Sequence, residues 1–276
     1  MSTTGEAAGR ATSLALAFDA VGSGPPVVIL HGLFGAGRNW SRVAEALAAD
    51  HCVYLPDARN HGASPWAESM SYVEMAGDVL ALIEREQMRR PFVIGHSMGG
   101  KTAMALALSH PEAVGGIAVI DIAPESYAGQ FSSYMSAMRS LEMASAASRR
   151  EIQQALADNL GAETPADYLM QNLRRQNDRF DWRLNLLATG LCMRELCGFP
   201  ETLREARYAG PALFVQGAES DYVRPASFAG IRALFPRAGT ELIADAGHWV
   251  HADQPAALLH GLRGWLAGAG GAAAPC

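Results

Sequence analysis

Short, almost unbroken apolar runs recur along this chain, and most are followed by helix-patterned sequence. LALAF (14–18), VVIL (27–30), CVYL (52–55), FVIG (92–95), IAVI (117–120), ALFV (212–215) and ELIA (241–244) read as strands. A strand with one face in water alternates apolar and polar residues, whereas a strand covered on both faces does not. Runs of this kind call for helices on both sides of a mostly parallel sheet. The segment SYVEMAGDVLALIEREQM (71–88) is the clearest such helix. Ser71 and Glu74 have capping-box spacing, and Val79, Leu80, Leu82 and Ile83 form an apolar stripe. Strand–helix–strand succession implies right-handed crossovers and an α/β class.

The rhythm breaks once. From 124 to 208 the sequence is helix-prone and offers no convincing strand, as in REIQQALADNL and ADYLMQNLRRQ. The expected organisation is a core made of 13–123 and 209–267, a helical cap at 124–208, and flexible tails at 1–12 and 268–276. A chain of 276 residues is long enough for one such domain. Charged residues make up 18% and the net charge is −6, which disfavours disorder and a nucleic-acid or anionic-membrane partner. No stretch approaches the ~18–20 apolar residues of a membrane span. The N-terminus lacks the pattern of a secretory signal, and Cys52, Cys192, Cys197 and Cys276 read as unpaired thiols, so a cytoplasmic location is expected.

One polar residue interrupts an apolar run in a telling way. In FVIGHSMGGK (92–101), Ser97 lies between Gly95 and Gly99, with a strand pattern before it and a helix pattern after it. A hydroxyl exposed on a sharp strand-to-helix turn needs small residues two before and two after it. This is the G-x-S-x-G nucleophile elbow. Serine is a poor nucleophile until a base takes its proton. In DAGHWVHADQP (245–255), His248 directly follows a strand and a turn and is the expected base, with His251 as a packing or capping residue. The loop in VVILHGLFGAGRNW (27–40) should supply one oxyanion N–H, from Leu33 with Phe34 as the alternative; Met98 supplies the other. His31 reads as a structural histidine, and Asp57 as a brace of its own loop, together with Arg59.

As a set and in this order, LHG (30–32), PDARNHGAS (56–64), GHSMGG (95–100) and GAGHWVHADQP resemble the α/β-hydrolase superfamily over about residues 14–267. With VIDIAP (119–124), they resemble small bacterial acyl esterases similar to mitochondrial abhydrolase-domain proteins. The resemblance implies an α/β-hydrolase fold, with a mostly parallel central sheet flanked by helices and a helical cap inserted after the sixth strand. It also implies Ser97 as nucleophile and His248 as base.

The acid that orients the histidine stays open between two residues. Asp121 ends the IAVI strand. Asp221 follows the ALFV strand, but the usual G-x-x-D spacing falls on Ser220, one place earlier. Asp121 is preferred and Asp221 is the alternative. The expected activity is a carboxylesterase on short- to medium-chain acyl esters, acting through an acyl-enzyme with no metal and no cofactor. Phe34, Trp249, Tyr127 and Met138 are expected to line the substrate pocket. A thioesterase, lactonase or C–C bond hydrolase shares the same triad, and a ligand-binding protein with a vestigial site is the alternative of another class. The expected partner is a small-molecule ester, and the expected assembly a monomer or small homo-oligomer.

Overall fold

The computed structural model describes residues 13–270 apart from 129–130, 142, 144–145, 147 and 161–165. Its seven-stranded sheet has the order β1-β3-β2-β4-β5-β8-β9. The strands are β1 (Phe18–Gly22), β2 (Pro26–Leu30), β3 (Cys52–Pro56), β4 (Phe92–His96), β5 (Gly116–Ile120), β8 (Ala212–Gly217) and β9 (Ala238–Ile243). All neighbours are parallel except β1, which runs antiparallel to β3.

The central strands are buried on both faces. In β2, Val28 and Leu30 join one apolar core while Val27 and Ile29 join the other. In β5, Ile117 and Val119 face the first core, and Ala118 and Ile120 the second. This two-sided burial is why the runs were unbroken. The first core is covered by α2 (Tyr72–Arg85) and α3 (Met98–Ser109). The second is covered by α1 (Ser41–Leu47) and the last helix, α11 (Pro255–Gly270). α11 therefore extends through 268–270, which were expected in the tail. No proline interrupts LAGAG, and the helix continues. The remaining tail residues, including Cys276, lie outside the described residues. Cys52, Cys192 and Cys197 are free thiols.

The first apolar run forms a strand later than expected. The Leu14 N–H donates to Asp78 Oδ1 (2.6 Å) and the Ala17 N–H to Ser64 Oγ (2.9 Å), so this backbone is committed to side chains rather than to a ladder. Among the described residues five strands precede the insert, where six were expected.

The insert is also not purely helical. Between α4 (Phe131–Arg139), α5 (Arg149–Leu160) and α6 (Ala166–Met170) on one side and α7 (Leu186–Leu191) and α8 (Met193–Cys197) on the other stands a hairpin. Its strands are β6 (Leu173–Gln176) and β7 (Arg179–Trp182). Gln176 pairs with Arg179, so Asn177 and Asp178 are a two-residue turn, both with positive φ (50° and 59°). Asn and Asp tolerate that region, and such turns match the twist of a hairpin. The Asn-Asp signal outweighed the helical propensity of the arginines before it. α9 (Ser227–Leu234) and the short α10 (Val250–Asp253) complete the fold.

Candidate active site

Ser97 is the only residue between β4 and α3, and its backbone sits at φ 52°, ψ −116°. A side chain at positive φ is strained and persists only where its surroundings enforce it. The enforcement is visible in the flanking glycines. A Cβ on Gly95 would lie 2.2 Å from the Gly99 carbonyl oxygen, and one on Gly99 would lie 2.3 Å from that of Leu30. The turn exists because both positions are bare.

The other side chains come from the C-terminal ends of neighbouring strands, where open parallel sheets build their sites. Asp121 directly follows β5, also at positive φ (52°), and is fully buried. Its Oδ1 accepts the Gly217 N–H (3.0 Å). Its Oδ2 accepts from His248 Nδ1 at 2.7 Å and from the Ser220 hydroxyl. A carboxylate oxygen accepts, so Nδ1 is the donor of this bond, and the other ring nitrogen, Nε2, is left for a different partner. Asp221, the alternative acid, is exposed to solvent.

The sequence missed Ser220 as a participant. It occupies the position where the usual spacing would place an acid, so it points into the site; Asp221, one residue on, points out. The His248 ring is fixed from further sides. It stacks on Tyr222 with centroids 3.8 Å apart at 18°, and the His248 carbonyl accepts from His96 Nε2 (2.8 Å). His251 stacks on Trp40 at 4.3 Å, and burial lowers its pKa to about 4, consistent with a neutral packing residue.

The loop after β2 is braced by two further neutral histidines. His31 donates from Nδ1 to the Gly32 carbonyl (2.8 Å) and accepts the Ala58 N–H at Nε2 (2.9 Å). His61 donates to the Arg59 carbonyl (3.0 Å) and accepts the Phe34 N–H (3.4 Å). Burial lowers both, His61 to about 3. The Phe34 N–H is thus turned to His61. Leu33 and Met98 border the same small cavity as Ser97. Met98 opens α3, where helix N–H groups have no intrahelical acceptor. The insert grips this loop: Tyr168 Oη donates to the Leu33 carbonyl (2.9 Å), and Asn172 Nδ2 to that of Phe34 (2.7 Å).

Asp57 does brace its own loop, accepting the N–H groups of Gly37 (2.8 Å) and Ala63 (2.8 Å). Arg59 is not its partner. The guanidinium pairs with buried Asp78 (2.7 and 2.9 Å) and reaches Glu74 (3.2 Å), tying this loop to α2. α2 begins with the expected Ser71–Glu74 capping box.

Of the expected pocket residues, Tyr127 borders the Ser97 cavity, its hydroxyl accepting the Ala123 N–H (2.8 Å) and donating to the Tyr222 carbonyl (2.7 Å). Phe34 is buried against Phe131 and Tyr134. Trp249 lies beside Tyr168 and His248. Met138 instead sits in the core of the insert, its carbonyl accepting from Trp182 Nε1 (3.3 Å), because its face of α4 packs inward.

Lys101 was not anticipated. It is one turn after Ser97, 1% exposed, and borders the same cavity. Its Nζ donates to the carbonyls of Cys197 (3.2 Å) and Gly198 (2.5 Å) and sits over the Tyr127 ring (4.7 Å). Burial lowers its pKa to about 7. Between pH 7 and about 10.4 the unfolded chain keeps a proton that the folded one has lost, so this residue makes stability rise with pH, by at most about 1.4 kcal/mol per unit. Below pH 7 both states are protonated and the contribution is flat. Thermal melts of Lys101→Met beside wild type should show that rise missing from the variant; parallel curves would mean the ammonium is solvated.

A profile of the family described as alpha/beta hydrolase fold matches residues 25–255. The sn-1-specific diacylglycerol lipase ABHD11 of Xenopus tropicalis is 38% identical over 253 residues, covering 89% of this chain and 79% of that protein. Esterase YbfF of Escherichia coli (strain K12) is 32% identical over 242 residues, covering 87% of this chain and 92% of the esterase. Among solved structures, a marine microorganism esterase superposes with TM-score 0.89 at 35% identity, covering 92% of this chain and 100% of its own. The strained serine turn, the sheet order and these relationships agree, and the chain belongs to the α/β-hydrolase family, related along most of its length to esterases and a lipase.

Proposed function

We propose that this protein is a carboxylesterase for short- to medium-chain acyl esters, with Ser97 as nucleophile, His248 as base and Asp121 as the orienting acid. The observation that carries the reading is the 2.7 Å contact between His248 Nδ1 and a fully buried Asp121 at the end of β5, with Ser97 held on a strained turn at the end of the neighbouring strand β4. His248 Nε2 takes the hydroxyl proton as Ser97 Oγ attacks the ester carbonyl. The N–H groups of Met98 and Leu33 receive the developing oxyanion, each worth about 3–4 kcal/mol of barrier. The alcohol leaves with the proton from His248. Water, activated by the same imidazole, then releases the acid. Residues 124–208 act as a cap over this site, as the bonds from Tyr168 and Asn172 to the Leu33–Phe34 loop support.

Hydrolysis of p-nitrophenyl esters from acetate to laurate tests the reading. Wild type should turn over this series, and Asp221→Asn should stay within about threefold of it, because that side chain faces solvent. An enzyme inert on every ester, yet labelled at Ser97 by a fluorophosphonate, would sink the carboxylesterase assignment in favour of a thioester, lactone or C–C substrate. Failure of the label as well would point to a ligand-binding protein.

A further inference from the structure

Lys101 stands on the same wall as the reacting serine. It is on α3, and its backbone N–H donates to the Ser97 carbonyl (3.0 Å). Residues four apart on a helix hold their Cβ atoms about 5–6 Å apart, and helical side chains lean toward the N-terminus. The lysine chain is thereby carried back toward Ser97. Among the described residues that line this cavity, Lys101 carries the only charge; Leu33, Ile122, Phe131 and Leu196 are apolar.

Every titratable group that faces the ammonium is neutral or engaged elsewhere. Burial holds the Tyr72 and Tyr127 phenols and the Cys197 thiol above their ordinary values. Glu125 is taken by Arg224 and Ser227 (3.2 Å each), and Arg204 by Glu201 (2.8 Å). The two bonds from Nζ go to the backbone carbonyls of Cys197 and Gly198, and these do not need a charge. A glutamine amide also has two donors and would tie the same turn without burying an ion. An ammonium has a third donor, and among the described residues it meets no acceptor, only the rings of Tyr127 (4.7 Å) and Tyr72 (5.5 Å). A buried charge is costly unless it is paired.

The cavity also has a side. His248 returns its proton to the leaving alcohol, and it is not among the described residues that line this cavity. The space before Lys101 therefore belongs to the part of the substrate that stays on Ser97, the acyl group.

We propose that Lys101 is a specificity residue that receives a carboxylate at the far end of a short acyl group, so that half-esters of short dicarboxylic acids are preferred over plain esters of the same length. The inference rests on the ester-hydrolase reading and narrows its substrate. The acyl group is short because the two side chains start about 5–6 Å apart.

The test compares monoethyl succinate with ethyl butyrate, which differ by a carboxylate in place of a methyl group. At pH 6 the kcat/KM of wild type should favour the succinate by about tenfold or more, as a charge-assisted bond to the ammonium implies. This ratio cancels the titration of His248, which both esters share. It should fall toward one as pH rises from 6 to 9, because kcat/KM follows the free enzyme and the Lys101 ammonium loses its proton near pH 7 while the carboxylate stays ionised. Lys101→Met should bring the ratio within about threefold of one at pH 6. Lys101→Arg should keep the preference and hold it flat to pH 9, since a guanidinium does not titrate there. Thermal melts show which variants are folded, and the wild-type pH series needs no variant. A wild-type ratio of one or less at pH 6, a ratio that does not change with pH, or a folded Lys101→Met that keeps the preference would overturn the assignment. So would a preference for acetoxyacetate, whose carboxylate is in the alcohol part, over monoethyl succinate. Calorimetry on Ser97→Ala separates this inference from the reading beneath it. If that protein binds monoethyl succinate about tenfold more tightly than ethyl butyrate but wild type hydrolyses neither, the carboxylate seat stands and the hydrolase reading fails. If wild type hydrolyses both equally well, the hydrolase reading stands and the seat is lost.

Discussion

Ser97→Ala should abolish ester turnover, lowering kcat about a millionfold by analogy with nucleophile removal in serine hydrolases. The methyl group fits where the hydroxymethyl was, so the turn and the flanking contacts of Gly95 and Gly99 remain. Stability should therefore change little, and the melting temperature separates loss of chemistry from loss of fold. What activity persists should come from the oxyanion donors and substrate binding alone. Retention of more than a hundredth of wild-type turnover would place the nucleophile elsewhere.

Asp121→Asn should lower kcat about 10⁴-fold. Asparagine keeps the shape and still offers one oxygen to the Gly217 N–H. Its amide, however, is a donor where His248 Nδ1 now donates. The imidazole must then carry its proton on Nε2, where it cannot accept one from Ser97. The expected signature is a fall in kcat with KM nearly unchanged, because no substrate contact is lost. An Asp121→Asn enzyme as active as wild type, with Asp221→Asn impaired, would reverse the assignment of the acid.

Much of this was legible in the residues. Two-sided strands wrote the parallel sheet, since each apolar residue of β2 and β5 meets one of two cores. The spacing of Gly95, Ser97 and Gly99 wrote the turn, because only bare positions clear the carbonyls of Gly99 and Leu30. The choice between Asp121 and Asp221 was not legible to the same degree. It depends on which of two adjacent backbone positions after β8 faces inward, and that position holds Ser220, whose hydroxyl joins the carboxylate rather than replacing it. The hairpin at 173–182 was hidden because its only signal is the pair Asn177-Asp178 inside a charged stretch. Lys101 was hidden because a lysine on a helix ordinarily reads as surface. Only the fold reveals that carbonyls of a segment nearly a hundred residues away surround it.

The distances in sequence across this site carry a consequence for folding. Asp121 and His248 are 127 positions apart, Asp121 and Ser220 are 99, and His96 and the carbonyl of His248 are 152. Chain entropy must be surrendered before such remote contacts give anything back, and topologies dominated by them fold slowly. No nascent or truncated chain ending before β9 contains the pieces. The site is thus a late product of assembly that reports on closure of the whole sheet. A chain that has formed its local helices but not docked β9 would hold Ser97 and Asp121 with the Asp121–His248 contact still unmade.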